Sequence, residues 1–574
     1  MDQPGDDDAF EDPTPPDTRA AQLPDDPEDD IYPPPEEAIE VSPPVDVVTI
    51  DHAEAGLEPP QVYEAPEPAE EPVTVLEVER KLRVHGLFRL PDLTTTGSGV
   101  ARAKRQVTRT LTAVYHDTDD LRLARWGVTL RRREGGEDEG WHLKLPVEGH
   151  EGAREEVRLP LDAGEAGDVP RELADLVIAY TRNAPLRQVA ALRSERTPWV
   201  LFNADGQAFA ELVDDTVSVL DGEHVAARFR ELEVEALAAG APLAPIVAAL
   251  EAAGAVPGST PKAMTALGPV TQEPADVPEP QIVGPEDPAG AAVTAHIRRH
   301  TRAFLTQDVR VRRDLPDSVH QMRVAARRLR SGLKAFEPML DVEWADALRA
   351  DLGWIAGELG VSRDTEVLQA RIDMHADEVG EELSGLIRAV VDPALSSQWR
   401  DARDHALAAM VSQRYRDFLD RLVDAARNPR LNEAADAPSE DVLPGLVDKA
   451  WKKLKKEVDL LRLDGPSDDW HEARIRAKKA RYAAEAVAPV MGEHVKRFAK
   501  ALSEVTEVLG EHQDAWVAQQ TLKTLAAGDG IDGLSGFSLG LLHEFEFEQE
   551  LFCRNDFVKI WPGVRKAHKK ARLR

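Results

Sequence analysis

The chain has 574 residues, with 70 lysines and arginines, 104 acidic residues and a single cysteine. This length allows about two to four domains, and one cysteine excludes both an intramolecular disulfide framework and a metal site built from several cysteines. No apolar run of about 18 residues occurs, so no membrane span is expected. The N-terminus lacks the features of a secretory signal, and the cytoplasm is the expected compartment.

The negative charge is concentrated at the N-terminus. Residues 1–72 contain 23 acidic residues, one basic residue and 16 prolines, and they carry −22 of the chain's net charge of −34. Such a segment cannot bury enough apolar surface to offset the entropy lost on ordering. The sequence therefore predicts a disordered acidic tail, which either solubilises the protein or competes with anionic ligands for basic sites.

Alternating apolar and charged residues follow the tail. Segments such as VTVLEVERKLRV, GVTLRRRE and RELEVEAL have the period of two that is typical of β-strands. This pattern predicts an antiparallel sheet or barrel within a first domain at 73–265. A Pro-rich acidic stretch predicts a linker at 266–290.

One face of the predicted strands is densely charged. Glu77, Glu79 and Lys81 alternate along the first strand and therefore share a face. Because dry, unpaired charges cost several kcal/mol each, this face is either solvated with salt bridges or lines a wide, wet barrel interior. In a barrel, the carboxylates would hold a hard cation such as Mg²⁺ and the basic side chains would clamp phosphate. Later strands extend the pattern with Arg131, Arg133, Lys144, Arg154, Glu156, Arg193, Arg196, Asp214, Glu231, Glu233 and Glu235.

The last part of the chain, 291–574, has the apolar spacing of helices and contains an internal repeat. HQMRVAARRLR begins at His320 and is followed by LGVSRD, which ends at Asp364. HEARIRAKKAR begins at His471 and is followed by LGEHQD, which ends at Asp514. The His-to-Asp separations are 44 and 43 residues. The repeat predicts an all-α domain of two pseudo-symmetric halves.

Each predicted half, at about 291–430 and 440–574, carries the same basic helix face. Like charges at these spacings destabilise an isolated helix, so the faces require either a polyanion or acidic partners such as the repeated aspartates. Neither repeat histidine has a second histidine four residues on, so a metal site has little support there. The faces comprise His320, Arg323, Arg327 and Arg330 in the first half and His471, Arg474, Lys478 and Arg481 in the second.

The charged strands resemble a CYTH domain of the triphosphate tunnel metalloenzyme superfamily. The motif ExExK appears as Glu77-Val78-Glu79-Arg80-Lys81, and AVYHDTDDLRLARWGVTLRRR, GWHLKLP, AREEV and RELEVEAL match further motifs in order. The resemblance implies an eight-stranded antiparallel tunnel, a Mg²⁺ or Mn²⁺ cofactor and a triphosphate-bearing substrate. It implies catalytic roles for Glu77, Glu79 and Lys81, a metal site of Glu77, Glu79, Asp214, Glu231 and Glu233, and phosphate contacts from Lys81, Arg131, Arg133, Lys144, Arg154, Arg193 and Arg196. Asp215 replaces Asp214 on the inward face if the strand register differs by one residue.

The helical part resembles a CHAD domain, on the motifs HQMRVAARRLR, LGVSRD, HEARIRAKKARY and LGEHQD. The resemblance implies two helical halves around a basic region that binds inorganic polyphosphate. The residues it nominates are His320, Arg323, Arg327, Arg328, Arg330, His471, Arg474, Lys478, Lys479 and Arg481.

Two functions from different classes follow from these patterns. In the first, the CHAD-like domain captures polyphosphate and the CYTH-like tunnel hydrolyses triphosphate, or a related triphosphate compound, with Mg²⁺. In the second, the protein is a non-catalytic scaffold that binds polyphosphate and associates with polyphosphate granules. Nucleic-acid binding is not favoured because few aromatic residues are interleaved for base stacking. The sequence leaves inorganic triphosphate, thiamine triphosphate, nucleotides and polyphosphate open as substrates.

Overall fold

The computed structural model describes residues 73–147, 153–165, 167–238, 240–258 and 261–573, and the predicted acidic tail lies outside them. The strands are β1 (Val73–Val84), β2 (Arg102–Arg105), β3 (Arg109–Asp117), β4 (Thr129–Glu134), β5 (Gly140–Pro146), β6 (Ala153–Leu159), β7 (Arg187–Phe202), β8 (Ala208–Asp221), β9 (His224–Ala236) and β10 (Val256–Pro257). The helices are α1 (Arg122–Arg125), α2 (Arg171–Leu176), α3 (Ile178–Thr181), α4 (Ala244–Ala252), α5 (Lys262–Leu267), α6 (Ala289–Arg312), α7 (Ser318–Ala335), α8 (Val342–Glu358), α9 (Gly360–Ala376), α10 (Glu381–Val411), α11 (Gln413–Arg427), α12 (Ser439–Val458), α13 (Ser467–Met491), α14 (Glu493–Ala526) and α15 (Gly533–Ala571).

Eight of the strands form a closed ring of antiparallel pairings. The order is β1-β6-β5-β4-β3-β7-β8-β9, and β9 pairs back onto β1. The first half of β1, Val73–Val78, pairs with β6, whereas its second half, Glu79–Val84, pairs with β9. The predicted antiparallel barrel is therefore confirmed, and β1 closes it.

Apolar residues of the strands face outward and pack under helices. Leu212 and Leu232 lie in a buried cluster with Ile246 of α4 on one side of the barrel. On another side, Trp141 and Leu143 of β5 belong to a core that continues into the long helices. Because successive strand residues point to opposite faces, this packing directs the intervening charged residues into the barrel.

The predicted all-α domain is formed by α6 to α15, and its two motifs occupy equivalent helices. The first motif lies on α7 between α6 and α8, and the second lies on α13 between α12 and α14. The single helix α14 in the second half corresponds to the consecutive helices α8 and α9 in the first half. The helices α7 and α13 contact each other directly, so the two basic faces meet. Within the described residues, no helix is both long enough and apolar enough to cross a membrane.

The barrel and the helical domain belong to one compact unit and share a buried core. Arg182, at the end of α3, is 3% exposed and forms ion pairs with Asp276 and with Asp420 of α11. Asp276, within the predicted linker, also accepts a hydrogen bond from the Trp126 indole at 2.8 Å. The linker segment at Asp276 is therefore packed into the interface between the two domains.

We expect Arg182→Ala to destabilise the protein by about 3 kcal/mol, because it leaves the buried Asp276 carboxylate without its ion-pair partner. Chemical denaturation measures this change. Arg187→Ala is the matched control, because Arg187 is exposed and lies 3.9 Å from an exposed Asp119 carboxylate. Equal stability of the two variants would contradict the interface role of Arg182.

Candidate active site and basic helix pair

Charged side chains line the barrel interior and separate by sign. In the strand pairing, Lys81 lies opposite Glu233, and Asp215 lies opposite both Glu231 and Arg196. Strands β1, β8 and β9 thus contribute most of the carboxylates, and β7 contributes Arg196. The opposite wall, formed by β4, β5 and β6, is mostly basic. A polyanion that enters this barrel meets cations on one wall and cation-binding oxygens on the other.

Lys81 joins two carboxylates on the acidic wall. Its Nζ atom lies 2.7 Å from Glu233 Oε1 and 3.2 Å from Glu79 Oε1. Burial would lower the pKa of Lys81, but the Glu233 and Glu79 carboxylates outweigh burial and raise it above its usual value. Lys81 is therefore held as an ammonium ion. The backbone of Glu77 lies opposite Arg154 in the β1–β6 ladder, on the same strand face as Glu79.

Lys262 of α5 is an interior residue that the sequence reasoning missed. It is 8% exposed, and its Nζ atom lies 2.6 Å from Asp215 Oδ2, 3.1 Å from Glu231 Oε1 and 3.0 Å from Glu233 Oε2. Burial would lower the pKa of Lys262, but the Asp215 and Glu233 carboxylates raise it. A single lysine in the segment STPKAMTALG gives no periodic signal, so only the tertiary structure places it here.

The structure corrects the prediction for Asp214. Asp214 points to the outer face of β8, where it accepts hydrogen bonds from Arg230 at 2.8 and 2.6 Å. Asp215 takes the inward position and accepts hydrogen bonds from Arg196 at 3.1 and 2.7 Å. The two-residue alternation of a strand shows only which residues share a face. It does not show which of two adjacent aspartates points into the barrel. The pairing of Asp215 with Glu231 decides it.

Arg193 is also wrongly placed by the sequence prediction. It is exposed, and it lies on β7 three residues before the inward-facing Arg196, which puts the two on opposite faces. Arg193 therefore does not line the barrel. Arg196 does, and it donates a further hydrogen bond to Glu233 at 2.9 Å.

The basic wall surrounds one carboxylate. Glu156 is fully buried, with Arg131 and Lys144 nitrogens each 3.5 Å from its Oε1 atom and His142 Nδ1 at 3.0 Å. Arg158 also pairs with it. Burial would raise the pKa of Glu156, but the His142 hydrogen bond and the Lys144 and Arg131 charges lower it. One permanent anion among three Lys and Arg side chains leaves this wall positive.

Two predicted phosphate-binding arginines retain unused donors. The Nε groups of Arg131 and Arg133 are buried and lack a hydrogen-bond partner among the described residues. Burial and the neighbouring Arg131 and Arg196 charges lower the pKa of Arg133 to about 9. Arg154 donates a hydrogen bond to Gly127 O at 2.5 Å. Burial lowers the pKa of Arg154, and the nearby Glu79 charge partly offsets this effect. These arginines therefore favour an anionic ligand.

The helices α7 and α13 bring basic side chains from both repeats together. We call Arg323, Arg327, Arg474, Lys478 and Arg481 the cation cluster. Burial, followed by the Arg474 and Arg327 charges, lowers the pKa of Lys478 well below its usual value. Burial and the Arg323, Arg481 and Arg474 charges lower the pKa of Arg327. The Nε groups of Arg327 and Arg474 are buried without a partner among the described residues.

The repeated aspartates offset the cation cluster only partly. Arg323 donates to Asp364 at 2.8 Å and to Gly360 O at 3.0 Å. Burial lowers the pKa of Lys478, and the Asp514 charge partly offsets this effect. Burial also raises the pKa of Asp514 itself. Asp364 therefore forms a salt bridge with the cation cluster, whereas Asp514 acts on Lys478 through its charge. Together they leave an excess of positive charge between the two helices.

The other predicted residues of the repeats lie around the cation cluster. His471 Nδ1 is hydrogen-bonded to Gln513 Oε1 at 2.6 Å, which gives this histidine a structural partner. Burial lowers the pKa of His320, which lies close enough to Arg327 and Arg323 to feel their charges. The Arg330 side chain lies beside Gly353 of α8. Arg328 lines a separate cavity, and Lys479 follows Lys478 on α13.

Comparison with known proteins identifies both domains. The CYTH domain model matches residues 76–243, and the CHAD domain model matches residues 295–523. The chain therefore contains a CYTH domain followed by a CHAD domain. It belongs to the same family as "Uncharacterized protein MT2285" of Mycobacterium tuberculosis (strain CDC 1551 / Oshkosh), which is 33% identical over 537 residues, covering 89% of this chain and 99% of that protein.

Two solved structures are each similar to about half of this chain. PptA from Streptomyces chartreusis is 23% identical with a TM-score of 0.43 and covers 48% of this chain and 100% of that structure. The CHAD domain from the plant Ricinus communis is 23% identical with a TM-score of 0.41 and covers 50% of this chain and 96% of that structure. The CYTH superfamily includes triphosphatases and cyclases and depends on Mg²⁺ or Mn²⁺. CHAD and CYTH domains bind polyphosphate and triphosphate substrates in related proteins.

Proposed function

We propose that the protein hydrolyses inorganic triphosphate, or a related triphosphate compound, inside the barrel and binds polyphosphate on the CHAD domain. The observation that carries the proposal is the sign separation inside the barrel. A phosphate chain on the basic wall would face carboxylates across the interior, which is the arrangement that phosphoryl transfer to water requires. Buried guanidinium groups with unused donors support a phosphate ligand rather than a purely structural salt-bridge network.

The carboxylates on the acidic wall fit a hard divalent cation chemically. Glu79 and Glu233 already converge on a cation, the Lys81 ammonium, and carboxylate oxygens are the donors that Mg²⁺ prefers. Within the described residues, no three carboxylate, imidazole or thiol groups are already assembled as ligands, so an ion would compete with Lys81 and Lys262. Glu79, Glu231 and Glu233 would hold it, with Glu77 on the same strand face. A bound ion would neutralise phosphate oxygens and activate water.

The chain's own residues supply the rest of the chemistry. Arg131 and Arg133 would bind phosphate oxygens through their unused donors. Lys144 would neutralise the negative charge that develops on the bound phosphate chain. Arg196 and Lys262 form ion pairs with Asp215 and Glu233, so these two carboxylates of the acidic wall keep their negative charge. A carboxylate of this wall would orient the attacking water.

The cation cluster favours polyphosphate binding by the CHAD domain. Guanidinium and ammonium groups from two helices stand close enough to lower each other's affinity for protons, and only part of their charge is neutralised by Asp364 and Asp514. A linear polyanion would relieve this repulsion along both helices. The CYTH barrel and the CHAD domain would then act on the same class of ligand.

Phosphate release from inorganic triphosphate in the presence of Mg²⁺ or Mn²⁺ tests the catalytic part of the proposal. Metal-dependent release supports the triphosphatase. The competing scaffold function is favoured by one observation, the occupation of the acidic wall by Lys81 and Lys262. Absence of release with either metal, together with retained polyphosphate binding, would establish the scaffold instead.

The depressed pKa of Lys478 predicts a pH dependence of stability. Unfolding returns this lysine to its usual pKa of 10.5, so below that pH the unfolded state binds a proton that the folded state resists. The resulting penalty grows as the pH falls from 10.5 towards the folded pKa and is complete below it. We therefore expect Lys478→Met to stabilise the ligand-free protein progressively as the pH falls through this window. Lys479→Met is the neighbouring control.

Thermal or urea unfolding across this pH range measures the difference between each variant and the unmodified protein. A stability difference for Lys478→Met that does not change with pH would contradict the electrostatic account of the cation cluster. Saturating polyphosphate should reverse the sign of the effect, because a bound anion favours the protonated lysine.

A further inference from the structure

The last helix, α15, lies beyond the residues that the CHAD domain model matches, and it packs on the rest of the protein along one side. The match ends at residue 523, whereas α15 spans Gly533–Ala571. Its main contacts are with α14, and it also contacts α10 and α9. Leu539, Leu542 and Phe557 are buried on that side. Within the described part of the chain, the opposite side is exposed, and we call it the outer face of α15.

The outer face of α15 carries large apolar side chains. Phe537 and Phe552 are 58% and 64% exposed, although phenylalanine is usually buried. A helix that is apolar on both sides is normally covered on both sides, and exposed apolar patches mark interaction surfaces. The apolar residues of this face are Leu534, Phe537, Leu541, Leu551, Phe552 and Val558. They extend along about 36 Å of the helix.

The charged residues of the outer face change sign along α15. Glu544 and Glu548 lie in its first half, four residues apart, and like charges at this spacing repel each other. Neither carboxylate forms an ion pair with another described residue. Lys559 and Lys566 lie in the second half, and both are exposed. The outer face is therefore complementary to an antiparallel copy of itself, in which each acidic half meets a basic half.

We propose that two copies of this chain pair through the outer face of α15 as an antiparallel helix pair with twofold symmetry. An axis that passes between Leu551 and Phe552 would place these apolar residues at the centre of the contact. Glu544 would then lie opposite Lys559 of the partner subunit, and the symmetry would repeat this ion pair on the other side of the axis. Glu544 and Lys559 are 15 residues apart, close to four helical turns, so both lie on the outer face.

The order of the charges selects the antiparallel arrangement. A parallel pair would bring the two acidic halves together and the two basic halves together, and like charges across an interface weaken it. In the antiparallel pair, Phe537 would lie beside Lys566 of the partner subunit, whose aliphatic stem can cover an aromatic ring. The pairing uses no residue of the barrel interior or of the cation cluster, so it is independent of the proposed function.

Sedimentation equilibrium of the full chain measures the association. We expect the unmodified protein to form dimers at micromolar concentrations, and we expect Phe552→Asp to raise the dissociation constant about 100-fold or more. Ile282→Asp is the matched control, because Ile282 is a fully exposed apolar residue outside α15, and its association should be unchanged. A monomeric unmodified protein, or equal association of the two variants, would overturn the proposal.

Charge reversal tests the antiparallel pairing separately, with substitutions at exposed positions. Glu544→Lys alone and Lys559→Glu alone each place like charges opposite one another on both sides of the axis, and each should weaken association about tenfold. An equimolar mixture of the two variants should recover the association, because every contact between unlike copies is again attractive. Failure of the mixture to associate more tightly than either variant would overturn the antiparallel arrangement.

Discussion

Replacing Glu79 by glutamine is expected to lower the rate of metal-dependent triphosphate hydrolysis by a factor of about 100 or more. Glu79 is a proposed metal ligand with a single ion-pair partner among the described residues. It contacts Lys81 at 3.2 Å, whereas Glu233 also holds Arg196 and Lys262. The amide keeps the size of the side chain but removes the negative charge that a divalent cation requires.

The measurement is steady-state phosphate release at several Mg²⁺ concentrations. Glu195→Gln is the control, because Glu195 is an exposed residue on the outer face of β7 and should leave the rate unchanged. Partial recovery of the Glu79→Gln rate at high Mg²⁺ would support a metal-binding role. Unchanged turnover in Glu79→Gln would remove Glu79 from the site and redirect the search to the other carboxylates of the acidic wall.

The double change Arg327→Ala/Arg474→Ala is expected to weaken the binding of long polyphosphate by a factor of about 100 or more. Each of these arginines has a buried Nε group without a partner among the described residues, so each has a donor available for phosphate. Charge-assisted hydrogen bonds of this kind contribute about 1.5–3 kcal/mol each when they are desolvated.

The salt dependence of binding provides a second readout. Removal of two cations that contact the polyanion should reduce the slope of log affinity against log salt, by analogy with the release of counterions from nucleic acids. Arg400→Ala/Arg427→Ala removes two exposed arginines outside the cation cluster and serves as the control. Equal affinities and slopes for the two double variants would show that the cluster is not where polyphosphate binds.

Much of the fold could be predicted from local periodicity. Glu79 and Lys81 are charged and stand two positions apart, which indicates a strand with a charged face. The separations of His320 and His471 from their aspartates indicate two equivalent helical halves. The charged strand face is a property of a short segment, because side-chain direction repeats every two residues in a strand. The helical halves are recognised by comparing two distant segments of the same sequence. The structure confirms both the barrel and the repeated helices.

Long-range packing explains where the prediction was wrong or incomplete. The choice between Asp214 and Asp215 depends on the pairing of β8 with β9, which no local pattern contains. Lys262 reaches the acidic wall because α5 folds onto the barrel some 47 residues after Asp215. His300 faces a cavity whose walls come from four separate helices.

The sequence by itself determined the two domain classes, the charged strand faces and the paired basic helices, because each arises from residues close together in the chain. Only the tertiary structure decided the inward register of β8, the placement of Lys262 among three carboxylates and the proximity of α7 to α13. The physical reason is that the electrostatic free energy of these groups depends on distance and burial. Both quantities are set by contacts between segments that are far apart in the sequence.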